Sequence, residues 1–190
     1  MLDVSDKLAT FPQLETERCI LREITEDDLQ DMFEFMSDDK VTQYLPWNTA
    51  TTIEMPRKYM ERYQRMFAEQ KGIIWGVINK EHNKMMGTCL LFNFNLDHFR
   101  AELGYALGSK WWRQGFMLEV TSSVVDYAFR ELNFHSLEAH IDPNNTGSEG
   151  LLQKLGFVQE AYFREDYYDK EREIFTDTAI FSLLETGWDN

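Results

Sequence analysis

The chain has 190 residues, 43% of them hydrophobic and 14% aromatic, which is enough to bury one sizeable core, and we expect a single domain over residues 1–190. Its 33 acidic and 19 basic side chains give a formal net charge of -14, which argues against a broad basic surface for nucleic acid. That charge suits a cationic substrate such as an amine, although solubility alone is the simpler explanation. No run approaches the roughly 20 apolar residues of a membrane span and no secretory signal is evident, so we expect a cytoplasmic protein without membrane contact.

The first half of the chain predicts a strand, two helices and three more strands. Apolar and polar residues alternate over Arg18–Ile24 as in a half-buried strand, and the helix that follows begins with capping-box spacing at Thr25 and Asp28. Apolar residues recur at helical spacing over Thr52–Gln70. Three short runs rich in β-forming residues then predict an antiparallel meander. They are GIIWGVIN, KMMGTCLLFNFN and RAELGYALG.

The second half predicts a helix over Phe116–Glu131, a strand over Ser136–Asp142 and a helix over Asn145–Leu155. Two final strands are predicted for Phe157–Glu165 and Arg172–Leu184. Strands and helices do not alternate regularly, so we expect a mixed α/β (α+β) fold with a mostly antiparallel central sheet of about seven strands, flanked by about four helices.

Several kinds of site are disfavoured. Cys19 and Cys89 lie in predicted strands without CxxC spacing, so we expect two buried, reduced thiols. The 4 histidines show no HxxxH pairing, and we expect no metal. Neither a G-x-G-x-x-G motif nor a Walker loop occurs, which argues against ATP and dinucleotides. Ser148 lacks the G-x-S-x-G context of a hydrolase nucleophile.

Two segments carry other chemistry. In SKWWRQGFMLEV, Lys110, Arg113 and Gly115 stand directly before a predicted helix start. A helix start offers unpaired N–H donors and the positive end of the helix dipole, so this segment is either a phosphate site or an ordinary solvated turn. Further on, DPNNTGS leads into a short helix with the sequence LLQKLGF, where Gly156 is typical of a left-handed helix stop.

In this combination the chain resembles the GNAT N-acetyltransferases of the RimJ/RimL branch, from RCILREI to DTAIFSLLETGW. The resemblance implies a GNAT fold, acetyl-CoA as the acetyl donor, and direct attack by a primary amine. The implied acceptor is a protein N-terminal amine of the ribosomal-protein-alanine type, with a small cationic amine such as a polyamine or an aminoglycoside as the alternative. A non-catalytic acyl-CoA-binding module is the rival, and the implied assembly is a monomer or a homodimer.

The pyrophosphate loop of that family, Q/R-x-x-G-x-G/A, corresponds here to Trp112–Met117. Only the central glycine is kept, with Trp112 at the first position and Met117 at the last, where its side chain either crowds the phosphates or turns inward. The resemblance implies that backbone N–H groups cradle the pyrophosphate and that Lys110 or Arg113 pairs with phosphate oxygens. The predicted acetyl-CoA-binding residues are Ala106, Leu107, Lys110, Trp112, Arg113, Gln114, Gly115, Phe116, Met117, Asn145 and Ser148.

The segment NNTGS resembles the N-x-x-S of the same family. By this resemblance Asn145 would hydrogen-bond the pantetheine arm, and Ser148 would lie near the thioester sulfur as the general acid. Helix capping is the alternative role for both residues. Tyr162, Tyr167 and Tyr168 are rivals for the general acid, and Tyr167 is included in the predicted catalytic set.

Acetyl transfer also needs a neutral amine and a donor for the oxyanion. We predict that Glu102 is the general base, acting through water, with a surface or salt-bridge role as the alternative. The oxyanion donor is predicted to be the backbone N–H of Ala106 or Leu107, where strands splay.

The acceptor amine needs a pocket of its own. Tyr44, Pro46 and Trp47 lie in a predicted loop, where aromatic side chains often contact ligands, and we predict that they line this pocket. The acidic residues within Arg164–Asp166, Glu165 above all, either hold the ammonium group of the substrate or form a polar hairpin tip.

Overall fold

The structure is a computed structural model that describes residues 1–45, 47–169 and 173–188. Within these residues the chain forms an eight-stranded sheet with five α-helices. The strands are β1 (Leu14–Glu15), β2 (Cys19–Arg22), β3 (Gly72–Asn79), β4 (Lys84–Asn95), β5 (Arg100–Leu107), β6 (Ser136–Ile141), β7 (Val158–Asp169) and β8 (Ile174–Leu184). The helices are α1 (Leu29–Met36), α2 (Asp39–Thr42), α3 (Glu54–Ala68), α4 (Phe116–Arg130) and α5 (Thr146–Lys154). In this described part, no helix has the length and apolar character needed to cross a membrane.

The predicted mixed α/β fold with a mostly antiparallel sheet is confirmed. The two elements beyond the predicted seven strands and four helices are β1 and α2, which have 2 and 4 residues and are too short to show a periodic pattern. The predicted capping box at Thr25 and Asp28 is present. Two residues of the sequence-based predictions, Pro46 and Arg172, lie outside the described residues.

Strand β7 is longer than predicted. The charged run Arg164–Asp166 was expected to precede a turn, but the strand continues to Asp169. A register shift between Phe163 and Tyr167 accommodates the run as a bulge, with Glu165 at a left-handed φ of 53°. The tyrosines beyond the bulge are good strand formers and resume the pairing with β8.

The strand order is β1-β2-β3-β4-β5-β6-β8-β7, and β5 with β6 is the parallel pair among the described strands. These two strands pair only over Arg100–Glu102 and Ser136–Glu138. Strand β5 then continues to Leu107 and β6 to Ile141 without pairing to each other. The sheet therefore opens between them, and helices α4 and α5 follow directly from the two strands at this opening.

Helices cover the sheet on both faces. On one face, α4 and α5 pack on the sheet through an apolar cluster that includes the fully buried side chains of Trp75, Val120 and Leu152. On the other face, α1 and α3 pack through Met32, Met60 and neighbouring apolar residues. Burying each such side chain contributes about 1.5–3 kcal/mol, so this double layer fixes the strand positions around the opening.

The two cysteines are free and buried, as predicted. Burial raises the pKa of the Cys89 thiol to about 12, and it also raises that of Cys19. A thiol with a raised pKa is protonated near neutral pH and is a poor nucleophile, so both residues serve as small core side chains.

A close approach of β4 to β5 depends on Gly87. A Cβ at this position would lie 2.0 Å from the carbonyl oxygen of Ala106, so we expect Gly87→Ala to lower the free energy of unfolding by about 1–3 kcal/mol. The matched control is Gly150→Ala in α5, where an added Cβ would meet no neighbouring side chain within 4 Å. This variant should raise the free energy of unfolding by about 0.5–1 kcal/mol. Urea unfolding followed by circular dichroism measures both, and an unchanged midpoint for Gly87→Ala would contradict the close approach.

Candidate active site

The opening between β5 and β6 presents backbone donors from β5. The N–H of Gly108 donates to the carbonyl of Met86 on the β4 side, at 2.8 Å. Alternate residues of an antiparallel strand face the same neighbour, so the N–H of Ala106 also faces β4, whereas that of Leu107 faces the opening. Of the two predicted oxyanion donors, Leu107 is therefore the one that faces the opening.

The loop between β5 and α4 leads into a helix start that no side chain caps. Arg113 and Gly115 both adopt left-handed conformations, with φ of 61° and 82°, which turn the chain into α4. Gly115 is the N-cap residue and has no side chain to bond the N–H groups of the first turn. These N–H groups, together with the helix dipole, can hold an anion such as a phosphate.

Arg18, which was not predicted, fixes this loop. Its Nε lies 2.6 Å from Oε2 of Glu119 in α4, and its Nη1 donates to the carbonyl of Gln114 at 2.9 Å. Its guanidinium also lies 4.2 Å from the ring centroid of Phe116. Trp112 holds the other end of the loop, because its Nε1 donates to the carbonyl of Leu107 at 2.7 Å.

The two predicted phosphate-binding cations have different surroundings. The Lys110 ammonium contacts the carboxylate of Glu34 in α1, and this hydrogen bond lowers the pKa of Glu34. Arg113 is exposed and makes no ion pair with any residue that the structure describes. Arg113 is therefore available to a phosphate, whereas Lys110 would first have to leave Glu34.

The Met117 side chain turns inward. It is 9% exposed and belongs to the apolar cluster between α4 and the sheet. Its carbonyl accepts a hydrogen bond from Oγ1 of Thr121, as is common one turn along a helix. The sequence allows two orientations for this side chain, and the structure has the inward one, which would not crowd the phosphates.

A pair of hydroxyl groups connects β5 to α5. The Tyr105 hydroxyl lies 2.6 Å from Oγ of Ser148, which is 8% exposed. The N–H of Ser148 donates to Oδ1 of Asn145, so Asn145 caps the start of α5. Helix capping was the alternative role that the sequence allows for this residue. Burial raises the pKa of Tyr105 far above its usual value, so this phenol is in its protonated form near neutral pH. Tyr105 was not predicted, because an aromatic residue in a strand is ordinarily part of the core.

Glu102 lies on the opposite face of β5 from Tyr105, because side chains three positions apart in a strand point to opposite faces. Its side chain is half-buried, and its Oε2 accepts a hydrogen bond from Nδ2 of Asn93 at 2.8 Å. Burial raises the pKa of this carboxyl group, although the hydrogen bond from Asn93 opposes the shift. A carboxylate with a raised pKa is a stronger base, as the predicted role requires.

Aromatic residues gather on one side of the molecule. The half-buried Trp47 ring lies 5.6 Å from Tyr59 of α3. Burial raises the pKa of Tyr59, and the nearby Tyr167 of β7 adds to the shift. Trp47 and Tyr167, both predicted site residues, thus lie near the same α3 side chain. Tyr44 is half-buried and makes no aromatic ring contact with any residue in the described part of the chain.

Glu165 is exposed in the β7 bulge, apart from this aromatic group. Its backbone N–H donates to Oδ1 of Asp177 at 2.8 Å, and the Tyr162 hydroxyl donates to the same carboxylate. The bulge is therefore held in a fixed conformation, with the Glu165 carboxylate at the surface.

The sequence matches the family model described as "Acetyltransferase (GNAT) domain" over residues 18–158. It is 34% identical to the uncharacterized N-acetyltransferase YoaA of Bacillus subtilis, over 92% of this chain and 97% of that protein. It is 29% identical to the [ribosomal protein uS5]-alanine N-acetyltransferase of Escherichia coli, over 60% of this chain and 58% of that protein. Similarity to the spermidine N(1)-acetyltransferase of Vibrio cholerae is 25% identity, over 60% of this chain and 65% of the other.

Solved structures share the fold. A GNAT-family acetyltransferase from Bacillus anthracis superimposes with a TM-score of 0.82 at 23% identity, covering 92% of this chain and 99% of the other. The Vibrio cholerae spermidine N-acetyltransferase in complex with CoA and spermine gives a TM-score of 0.78 at 19% identity, covering 91% of this chain and 99% of the other.

Because Met117 packs in the core, we expect Met117→Ala to lower the free energy of unfolding by about 2–5 kcal/mol, through lost packing and the cavity left behind. Affinity for coenzyme A, measured by calorimetry at a temperature where the variant is folded, should not increase. Met66→Ala, at a half-buried position in α3, is the control and should cost less stability. Tighter coenzyme A binding with unchanged stability would show that Met117 faces the ligand after all.

Proposed function

The chain belongs to the GNAT acetyltransferases, and from that premise we propose that this N-acetyltransferase moves the acetyl group of acetyl-CoA onto the N-terminal amine of a protein. The observation that carries the proposal is the opening between β5 and β6, with different chemistry on its two faces. Leu107 supplies a backbone donor within the opening, the Tyr105–Ser148 hydroxyl pair lies on one face, and Glu102 lies on the other.

The donor side would be formed by α4 and the loop before it. The N–H groups at the start of α4 and the Arg113 guanidinium are suited to the pyrophosphate, and the uncapped Gly115 lets the phosphates approach. The capping bond from Ser148 to Asn145 leaves the amide Nδ2 of Asn145 as the group for the pantetheine arm.

The acetyl transfer step assigns one role to each group. Glu102, through a water molecule, accepts a proton from the acceptor ammonium, and the neutral amine attacks the thioester carbonyl. The N–H of Leu107 stabilises the oxyanion as the C–N bond forms. The C–S bond then breaks as the Tyr105–Ser148 pair gives a proton to the thiolate. The nitrogen, which is positively charged after the attack, loses its extra proton through water to the hydroxyl pair, so that the pair is restored and the amide is neutral. This assignment keeps Ser148 in its predicted role and adds Tyr105, while Tyr167 becomes a residue of the acceptor side.

A protein acceptor is favoured by the similarity to the uS5-alanine acetyltransferase, which is higher than the similarity to the spermidine enzyme over the same share of this chain. The aromatic group of Trp47, Tyr59 and Tyr167 offers apolar surface for a polypeptide next to the amine. We therefore propose an enzyme of the RimJ/RimL type, and we propose that it acts in the cytoplasm. A small cationic amine is the second candidate, supported by the spermidine relative. A non-catalytic acyl-CoA-binding module would be favoured by a Met117 side chain that crowds the phosphates, but this side chain packs in the core.

The acceptor can be tested by thiol release from acetyl-CoA with a panel of amines. We expect the highest kcat/KM with a basic peptide that begins with alanine, and no release with the same peptide after its N-terminus has been blocked. Spermidine and an aminoglycoside test the second candidate. A higher kcat/KM for spermidine than for the peptide would overturn the protein acceptor, and thiol release that does not depend on any amine would overturn acetyl transfer itself.

Glu102→Gln should lower kcat by about 10²–10⁴-fold, because general base catalysis is lost, with little change in the KM for acetyl-CoA. Burial raises the pKa of Glu102, so in the wild type the carboxylate form, and with it the rate, is lost as the pH falls through this raised value. The variant should lack this part of the pH profile. Glu160→Gln, at an exposed position of β7, is the control and should behave as wild type. An unchanged kcat in Glu102→Gln would remove Glu102 as the base.

A further inference from the structure

Two titratable side chains of β6 lie beside Glu102 and have no role in the transfer step described above. The parallel register pairs Glu102 with Glu138, and His140 follows two residues later on the same face. One carboxylate oxygen of each glutamate and one ring nitrogen of His140 all lie within 4.8 Å of one another. The short parallel pairing thus builds a cluster of three proton-binding groups.

The remaining contacts of the cluster hold the glutamates in place. Nη2 of Arg100 lies 2.6 Å from Oε2 of Glu138, and Nδ2 of Asn93 donates to Glu102 at 2.8 Å. The other carboxylate oxygen of Glu138, Oε1, lies 3.7 Å from Nε2 of His140. On β8, the residues paired with Glu138 and His140 are the uncharged Ser182 and Ile180. Arg100 and Asn93 thus each bond one oxygen of a carboxylate and fix its orientation.

The cluster also leads outward from the interior. Glu102 and Glu138 are both half-buried, whereas His140 is the exposed member of the cluster, with 38% of its side chain exposed. Imidazole is the side chain that accepts and releases protons most readily near neutral pH. In the proposed reaction, a proton that Glu102 takes from an amine must leave before the next turnover, and His140 is the exposed imidazole beside it.

We propose that His140 is the proton outlet of Glu102 and that Glu138 positions its ring. The proposal rests on the proposed function, because it assumes that Glu102 is protonated in each turnover. The carboxylic acid of Glu102 loses its proton to the imidazole of His140 through one bridging water, and the imidazolium then gives this proton to solvent, which restores both groups. A separation of up to 4.8 Å accommodates one water molecule with two hydrogen bonds of about 2.8 Å.

The first test uses turnover and chemical rescue. His140→Gln should lower kcat by about tenfold and leave both KM values unchanged, because proton removal and not binding is impaired. Added imidazole buffer should restore the rate of this variant in a saturable manner and should not accelerate the wild type. His98→Gln, on the exposed turn between β4 and β5, is the matched control and should show neither effect. A merely structural role of His140 would give a loss that imidazole does not restore, and that result, or an unchanged kcat, would overturn the proposal.

The second test does not need turnover. The ring proton signals of His140, followed by NMR as the pH is changed, should show an additional inflection at the pH where Glu102 ionises, and Glu102→Gln should abolish it. Absence of that inflection in the wild type would overturn the outlet. If the wild type acetylates no amine while the inflection is present, the proposed function fails, and the proton coupling between Glu102 and His140 stands.

Discussion

The early separation of β5 from β6 is the constraint on which the site depends. Parallel strands normally pair along their length, and a backbone N–H that is left without a partner inside a protein is costly. Here the pairing ends after three residue pairs, at Glu102 and Glu138, and β5 continues for five residues to Leu107, paired with β4 but not with β6. The indole of Trp112 donates to the carbonyl of Leu107. The N–H of Leu107 faces the opening and is the donor that we propose for the substrate oxygen.

The same separation divides the chemistry between two faces. Tyr105 faces the α4 and α5 side, where the hydroxyl pair with Ser148 bridges the gap. Glu102 faces the other side, where it is paired with Glu138, and His140 lies two residues further along β6 on the same face. The proposed proton donor and the proposed proton acceptor are thereby kept apart by the strand itself. Their pKa values can be set independently, by burial of a phenol on one face and of a carboxyl group on the other.

The sequence predicts well whatever is encoded locally. Strand and helix periodicities, the capping box at Thr25, the helix start at Gly115 and the placement of Ser148 in a capped helix all follow from neighbouring residues. Contacts between distant residues do not: Arg18 meets Glu119 across 101 positions, and Tyr105 meets Ser148 across 43. Such contacts depend on strand order and register, which a single sequence does not specify. The bulge in β7 was missed for a different reason, because its charged residues are equally typical of a turn.

The acidity of the chain bears on how it would hold a polyanionic acetyl donor. With a net charge of -14, the protein as a whole repels phosphates, and two cations near the loop are already paired, Lys110 with Glu34 and Arg18 with Glu119. In the proposed donor site, the groups that would face the phosphates are chiefly the backbone of the loop and the start of α4, with Arg113 as the available side chain. Backbone dipoles act at short range and are fixed by the fold, so attraction arises only where the phosphates reach the helix start. The acidic remainder of the surface is then free to attract a cationic amine without any change in the donor site.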